Sequence, residues 1–300
     1  MSVDLSGIYP ALTTPFAADG SVSLADLKYN IERYNSTGIA GFVALGSTGE
    51  NVLLSRSEMD GILTTVKESA GQGKRLIAGT GAESTAQTIE RTKRAADFGY
   101  HFALVKTPYY YKPAYKPEVL IAHYRRVADA SPIPVLLYSV PIFTGITLEA
   151  PEVAALAEHP NIVGIKDSSG HVLRTGEMVA TTPADFQILV GAAGTILASL
   201  TVGAHGAILA LASALPEKCV ELFEAVRAGN VAKGRELQNA LLKVSKVIMS
   251  DNAIASVKFA MDQRGYRGGI PRLPLVAISE AYKQRISEAL ARFEPAMARA

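Results

Sequence analysis

Eight short apolar runs, each followed by a polar or glycine-rich stretch, punctuate the first two thirds of the chain. They cover residues 8–14, 41–45, 75–80, 102–107, 134–140, 162–166, 187–190 and 206–211. Most are continuous rather than alternating, which is how strands covered on both faces read. Between them, apolar residues recur at helical spacing, as at 24–36, 55–70, 86–98, 116–130 and 151–158. The seventh and eighth runs lie close together, so the helix between them is short, spanning 195–202. Eight strands alternating with helices predict an α/β chain, a (β/α)8 (TIM) barrel. The rival, a doubly wound open sheet, carries a Gly-rich fingerprint after its first strand. Here Pro15-Phe16-Ala17-Ala18-Asp19-Gly20 stands at that place.

Beyond the eighth run, helical patterns occupy 216–228, 231–249 and 254–263. A Gly/Pro-rich loop follows at 264–274, then a last helix at 279–293 that Pro295 is expected to stop. The first of these helices completes the barrel. Residues 1–228 are therefore expected to form the barrel with the active site, and 229–300 a helical C-terminal extension packed on it.

Composition narrows the function classes. Of 300 residues, 48% are hydrophobic and 19% charged, which suits a globular protein with a substantial core. A formal net charge of +2 gives no reason to expect nucleic acid or an anionic membrane surface. A single cysteine, Cys219, excludes an intrachain disulfide and fits a reducing compartment. The start, Met1-Ser2-Val3-Asp4-Leu5, lacks the basic and long apolar regions of a signal peptide, and no stretch reads as membrane-spanning. A cytoplasmic protein is expected. The five histidines show no metal-ligand spacing, so no metal is expected; no cofactor is expected either.

In a barrel, the chemistry sits at the C-terminal ends of the strands. Those ends carry Thr13-Thr14, Gly46-Ser47-Thr48-Gly49-Glu50, Lys106-Thr107-Pro108-Tyr109-Tyr110-Tyr111, Tyr138-Ser139-Val140-Pro141, Lys166-Asp167-Ser168, Gly191-Ala192 and Ser213. A lysine is costly to bury as a cation, and a neutral lysine amine forms Schiff bases with carbonyl substrates. Lys166 and Lys106 both end apolar strands, and physical reasoning on the sequence does not choose between them. The Ser47-Thr48 loop offers hydroxyls and free amides that suit a carboxylate, although a plain tight turn explains its glycines equally well. Tyr138 is either a proton relay or a core tyrosine with a satisfied hydroxyl. Tyr109-Tyr110-Tyr111 reads as an exposed aromatic loop suited to an interface.

Taken together, these motifs resemble the dihydrodipicolinate synthase / N-acetylneuraminate lyase family of class I aldolases. The combination is GSTGE at Gly46, TPYY at Thr107, YxVP at Tyr138 and GIKD at Gly164. The resemblance implies a (β/α)8 barrel with a helical extension, assembled as a homotetramer of tight dimers. It implies that Lys166, not Lys106, is the Schiff-base lysine, and that Tyr138 shuttles protons. Ser47 stands where the family has a proton-relay threonine, and with Thr48 it would bind the pyruvate carboxylate. Tyr110 matches a tyrosine that reaches into the neighbouring subunit's site, while Gly191 and Ile208 match backbone positions lining the pyruvate pocket.

One departure bears on the substrate. Dihydrodipicolinate synthases usually carry an arginine two residues after the proline of the tyrosine motif, and here Phe143 occupies that place. Phenylalanine cannot make the bidentate contact that an arginine gives a carboxylate. The segments at Tyr138, Lys166 and Gly265 look closer to the 4-hydroxy-2-oxoglutarate aldolase branch, in which Ser168 would help hold the acceptor portion. The expected function is thus a pyruvate-dependent class I aldolase that cleaves 4-hydroxy-2-oxoglutarate, or a related 2-oxo acid, to pyruvate and an aldehyde. The alternative is dihydrodipicolinate synthase itself, condensing pyruvate with aspartate semialdehyde. A non-catalytic 2-oxo-acid sensor is the reading from another class.

Overall fold

The computed structural model describes residues 3–250 and 252–298. The eight apolar runs form β1 (Gly7–Pro10), β2 (Gly41–Ala44), β3 (Arg75–Gly79), β4 (Phe102–Lys106), β5 (Val135–Ser139), β6 (Ile162–Asp167), β7 (Gln187–Val190) and β8 (Gly206–Leu209). They make one sheet of order β1-β8-β7-β6-β5-β4-β3-β2. A parallel bridge from Ala11 to Val43 links the two ends of that order, giving the (β/α)8 barrel. Every residue of β2, β4, β5, β7 and β8 is buried, which is why these strands read as unbroken apolar runs. The first run extends past β1: Leu12 donates its N–H to Val43 at 3.0 Å, outside the regular ladder.

The helices are α1 (Leu24–Tyr34), α2 (Arg56–Ser69), α3 (Thr85–Asp97), α4 (Pro117–Ala130), the single turn α5 (Pro141–Thr144), α6 (Ala150–Ala157), α7 (Val172–Thr181), α8 (Ile196–Thr201), α9 (Pro216–Arg227), α10 (Val231–Ile248), α11 (Ala253–Gln263) and α12 (Glu280–Ala298). Local chemistry sets their starts. At α2 the Ser55 hydroxyl accepts from Glu58 N, and the Glu58 carboxylate accepts from Ser55 N at 2.8 Å. The last helix departs from expectation, because it runs through position 295 to Ala298. A proline removes one backbone donor, and the remaining helical bonds carry the chain past it.

Contacts divide the chain into two compact units, one of residues up to Gly7 with Arg75–Ile208, the other of Ile8–Lys74 with Leu209 onward. In the second unit α10 packs on α9 and α12, and α1 on α2. Tyr34 stacks on Tyr266 with ring centroids 4.6 Å apart, and its hydroxyl donates to the Ser213 carbonyl at 2.5 Å. A buried ion pair ties this unit together. Lys258 of α11 places Nζ 2.5 Å from Glu50 Oε1, with side-chain exposures of 1% and 0%. The same ammonium donates to the Ile270 carbonyl at 2.7 Å and lies over the Phe16 ring. Burial pulls the Lys258 pKa down, and the Glu50 charge opposes that shift. Glu50 also accepts from Arg272 N at 2.8 Å. Arg272 in turn is ion-paired with Glu58, whose carboxyl it draws down to about 2.

In the first unit His123 of α4 is buried, and its Nδ1 lies 2.9 Å from Thr85 Oγ1. Burial lowers its pKa from 6.5 to about 4; the Glu83 charge opposes the shift and Lys106 adds to it.

Two stability measurements check these arrangements. Lys258→Met strands the Glu50 carboxylate, so denaturant unfolding should show a loss of about 3–5 kcal/mol. The double variant with Glu50→Gln should recover part of that loss, and a neutral single variant would contradict the pair's role. For His123 the unfolded chain takes up its proton first as pH falls through 6.5, while the folded imidazole waits until about 4. Stability should therefore drop by about 3 kcal/mol across that window from this group. A His123→Asn variant should lack that part of the slope; an unchanged slope would contradict the assignment.

Candidate active site

Parallel register is what assembles the chemistry of the first unit. Lys106 of β4 pairs with Tyr138 of β5, and Tyr138 pairs with Lys166 of β6. Residues directly opposite one another on neighbouring strands share a face of the sheet. Lys166 and Tyr138 are buried, at 4% and 5% exposure, and Lys166 Nζ lies 4.3 Å from the centroid of the Tyr138 ring. Two residues before Lys166, Gly164 permits the close approach of β7, since a Cβ there would fall 2.3 Å from the Gln187 carbonyl oxygen.

The loop after Lys166 is held by its own carboxylate. Asp167 accepts from Ser169 N at 3.1 Å and from the Ser169 hydroxyl at 2.6 Å. Ser168 N donates to the Ser139 carbonyl at 2.9 Å, and Gly191 N to the Asp167 carbonyl at 2.7 Å. Ser168 and Gly191 are thereby brought together: a Cβ on Gly191 would lie 1.9 Å from Ser168 Oγ. No other residue fits at 191 without moving the serine. Ile208 is fully buried in β8.

Lys106 has a different setting. Its Nζ lies 3.6 Å from Glu83 Oε1 and 4.5 Å from the centroid of the Tyr109 ring. Burial lowers its pKa, and Glu83 partly restores it. The other Glu83 oxygen accepts from Tyr109 N at 3.0 Å and Tyr110 N at 2.9 Å. Glu83 thus anchors the aromatic loop, whose Tyr110 and Tyr111 are exposed and meet edge to face. Sequence reasoning passed over Glu83. The signal was present: it follows the end of β3 by four residues, in the position from which the other loops contribute their polar groups. Phe143 lies in α5 directly after β5, with 56% exposure.

In the second unit Ser47 and Thr48 share one turn of 3-10 helix after β2, both half-buried. Glu50 closes that turn in the left-handed conformation, at φ 54°. Such a backbone is uncommon outside glycine, and the pairing of its side chain with Lys258 and Arg272 N fixes it. Thr14 Oγ1 secures the turn by donating to the Gly49 carbonyl at 2.7 Å. Ser213, another strand-end residue, is buried and spends its hydroxyl on the Ala11 carbonyl, a structural bond. Among the described residues, no group of three or more His, Cys, Asp or Glu side chains is arranged to hold a metal. No described helix is long and apolar enough to cross a membrane.

Known proteins are similar to this chain in sequence and fold. The model of the dihydrodipicolinate synthetase family matches residues 4–293. A 4-hydroxy-tetrahydrodipicolinate synthase from an Exiguobacterium species is 38% identical, covering 96% of this chain and 98% of its own. The crystal structure of the chloride-inhibited dihydrodipicolinate synthase of Acinetobacter baumannii, complexed with pyruvate, superposes with TM-score 0.92 at 32% identity, covering 97% of this chain and 99% of that one. The 4-hydroxy-tetrahydrodipicolinate synthase of Methylacidiphilum fumariolicum gives 0.93 at 29%, covering 99% and 98%. The chain belongs to the dihydrodipicolinate synthetase family and is a carbon–carbon lyase of that family.

Proposed function

We propose that the protein is a Schiff-base-forming, pyruvate-dependent aldolase in which Lys166 is the nucleophile and Tyr138 the proton carrier. The observation that carries this reading is the contact between the two, a buried lysine amine 4.3 Å from the tyrosine ring at the C-terminal ends of neighbouring strands. The pyruvate held by the Acinetobacter baumannii relative supports the substrate class.

In this mechanism the Lys166 amine adds to the ketone of a 2-oxo acid, and loss of water leaves an iminium. The iminium draws electrons from the bond between C3 and C4. Tyr138 gives its proton to the departing water; in the cleavage direction the C3–C4 bond then breaks, the C4 hydroxyl passes its proton to the Tyr138 phenolate, and an aldehyde departs. The remaining enamine takes a proton at C3, and water releases pyruvate and the free lysine. In the synthetic direction the enamine attacks an aldehyde instead. Ser47 and Thr48 are proposed to hold the carboxylate, Gly191 and Ile208 to line the pyruvate pocket, and Tyr110 to serve a neighbouring subunit in a homotetramer of tight dimers. A cytoplasmic location belongs to the same proposal.

On the acceptor, the names of the relatives support condensation with aspartate semialdehyde, the reading that the sequence ranked second. Phe143 weakens that reading, because an exposed phenyl ring offers the semialdehyde's carboxylate no charge. The other reading, cleavage of 4-hydroxy-2-oxoglutarate with Ser168 on the acceptor side, rests on the segments at Tyr138, Lys166 and Gly265.

Borohydride added with pyruvate should attach a reduced three-carbon adduct to the peptide carrying Lys166. An adduct on the Lys106 peptide alone, or none, would sink the mechanism. Comparing aspartate semialdehyde with glyoxylate as acceptor then separates the two readings. Efficient turnover of aspartate semialdehyde alone establishes the synthase, and preference for glyoxylate establishes the aldolase.

A further inference from the structure

Lys106 is a buried cation that the mechanism above leaves unused. Its register places it on the same sheet face as Lys166, with Tyr138 on the strand between. At a strand spacing of about 4.8 Å, the two lysine backbones stand about 10 Å apart. A five-carbon 2-oxo acid bound to Lys166 as an imine spans about 4 Å from C2 to C5. An ammonium within a charge-assisted hydrogen bond of its far carboxylate adds about 3 Å more. Such a substrate, stretched from β6 toward β4, passes over Tyr138, which puts its C4 hydroxyl beside the phenol.

The ammonium has capacity to spare. It carries three N–H donors. Its carboxylate neighbour stands 3.6 Å away, and the other oxygen of that carboxylate is committed to two backbone amides. The Tyr109 ring faces the ammonium 4.5 Å from its centroid, a cation–π contact that offers no lone pair. Glu83 therefore holds Lys106 at the mouth of the strands without exhausting it.

We propose that Lys106, steadied by Glu83, is the specificity-determining cation that receives the distal carboxylate of the acceptor portion. It would supply from β4 the charge that Phe143 does not supply from α5. The inference rests on Lys166 being the Schiff-base lysine.

The test compares two substrates, 4-hydroxy-2-oxoglutarate and 4-hydroxy-2-oxopentanoate, in which a methyl group replaces the distal carboxylate. The wild type should favour the first by at least tenfold in kcat/KM. Lys106→Met and Lys106→Gln should lower that ratio 10- to 100-fold, while Lys106→Arg keeps it within a few-fold. A role confined to packing would lower both substrates together and leave the ratio in place, which would overturn the proposal. Lack of any preference in the wild type would overturn it without recourse to a variant, so a misfolded variant does not shield it. Borohydride trapping of pyruvate on the wild type, run alongside, separates the failures. Loss of trapping defeats the Lys166 reading, and intact trapping with an unmoved ratio defeats this inference alone.

Discussion

The in-register parallel pairing of β4, β5 and β6 is the constraint on which the site depends. A parallel ladder gives each residue a fixed neighbour on the next strand, and a slip of one residue would turn every side chain to the opposite face. Here the ladder sets Lys106, Tyr138 and Lys166 side by side. Glycine at 164 lets β7 approach closely, and the glycine at 191 makes room for the serine that follows the lysine-aspartate pair. The lysine is thus presented by a rigid element, while the residues around it come from loops held by their own hydrogen bonds.

Paired carboxylates recur where those loops are fixed. Glu50 stabilises the turn that carries Ser47 and Thr48, and its partners Lys258 and Arg272 come from α11 and the loop after it. Glu83 plays the equivalent part for the aromatic loop, through two backbone amides and Lys106. In both cases a carboxylate just past a strand orders a loop by accepting from main-chain N–H groups and facing a lysine. The Glu50–Lys258 pair is buried on both sides and is therefore costly to break, whereas the Glu83 carboxylate is exposed and holds its loop chiefly through the two backbone amides. The C-terminal helices therefore serve the turn at Ser47 directly, because one of them supplies the cation that neutralises Glu50.

Much of this was legible in the sequence because strands buried on both faces leave unbroken apolar runs. The alternation of elements followed from periodicity alone. Other features were not legible, for physical reasons. The helix Val172–Thr181 carries Gly176 and two threonines, and its cap is the His171 ring accepting from Arg174 N rather than the usual Ser, Thr, Asp or Asn. Nothing local marks its start. The strand pattern left Lys106 and Lys166 equivalent, since both end apolar strands and both pair with Tyr138; the preference for Lys166 rests on the motif resemblance. Glu83 sits in an ordinary polar loop, and its importance arises from residues 26 and 27 positions further on. The grouping of residues beyond 209 with residues 8–74 in one compact unit is likewise a long-range property.

The central claim is that Lys166, and not its strand-end neighbour, forms the imine. Imine formation and hydrolysis exchange the ketone oxygen of pyruvate with water, so loss of label from pyruvate carrying oxygen-18 at C2 measures that step without any acceptor. The wild type and Lys106→Met should both wash out the label far faster than buffer does, and Lys166→Ala should fall to the buffer rate. Rapid washout by Lys166→Ala together with its loss in Lys106→Met would contradict the account.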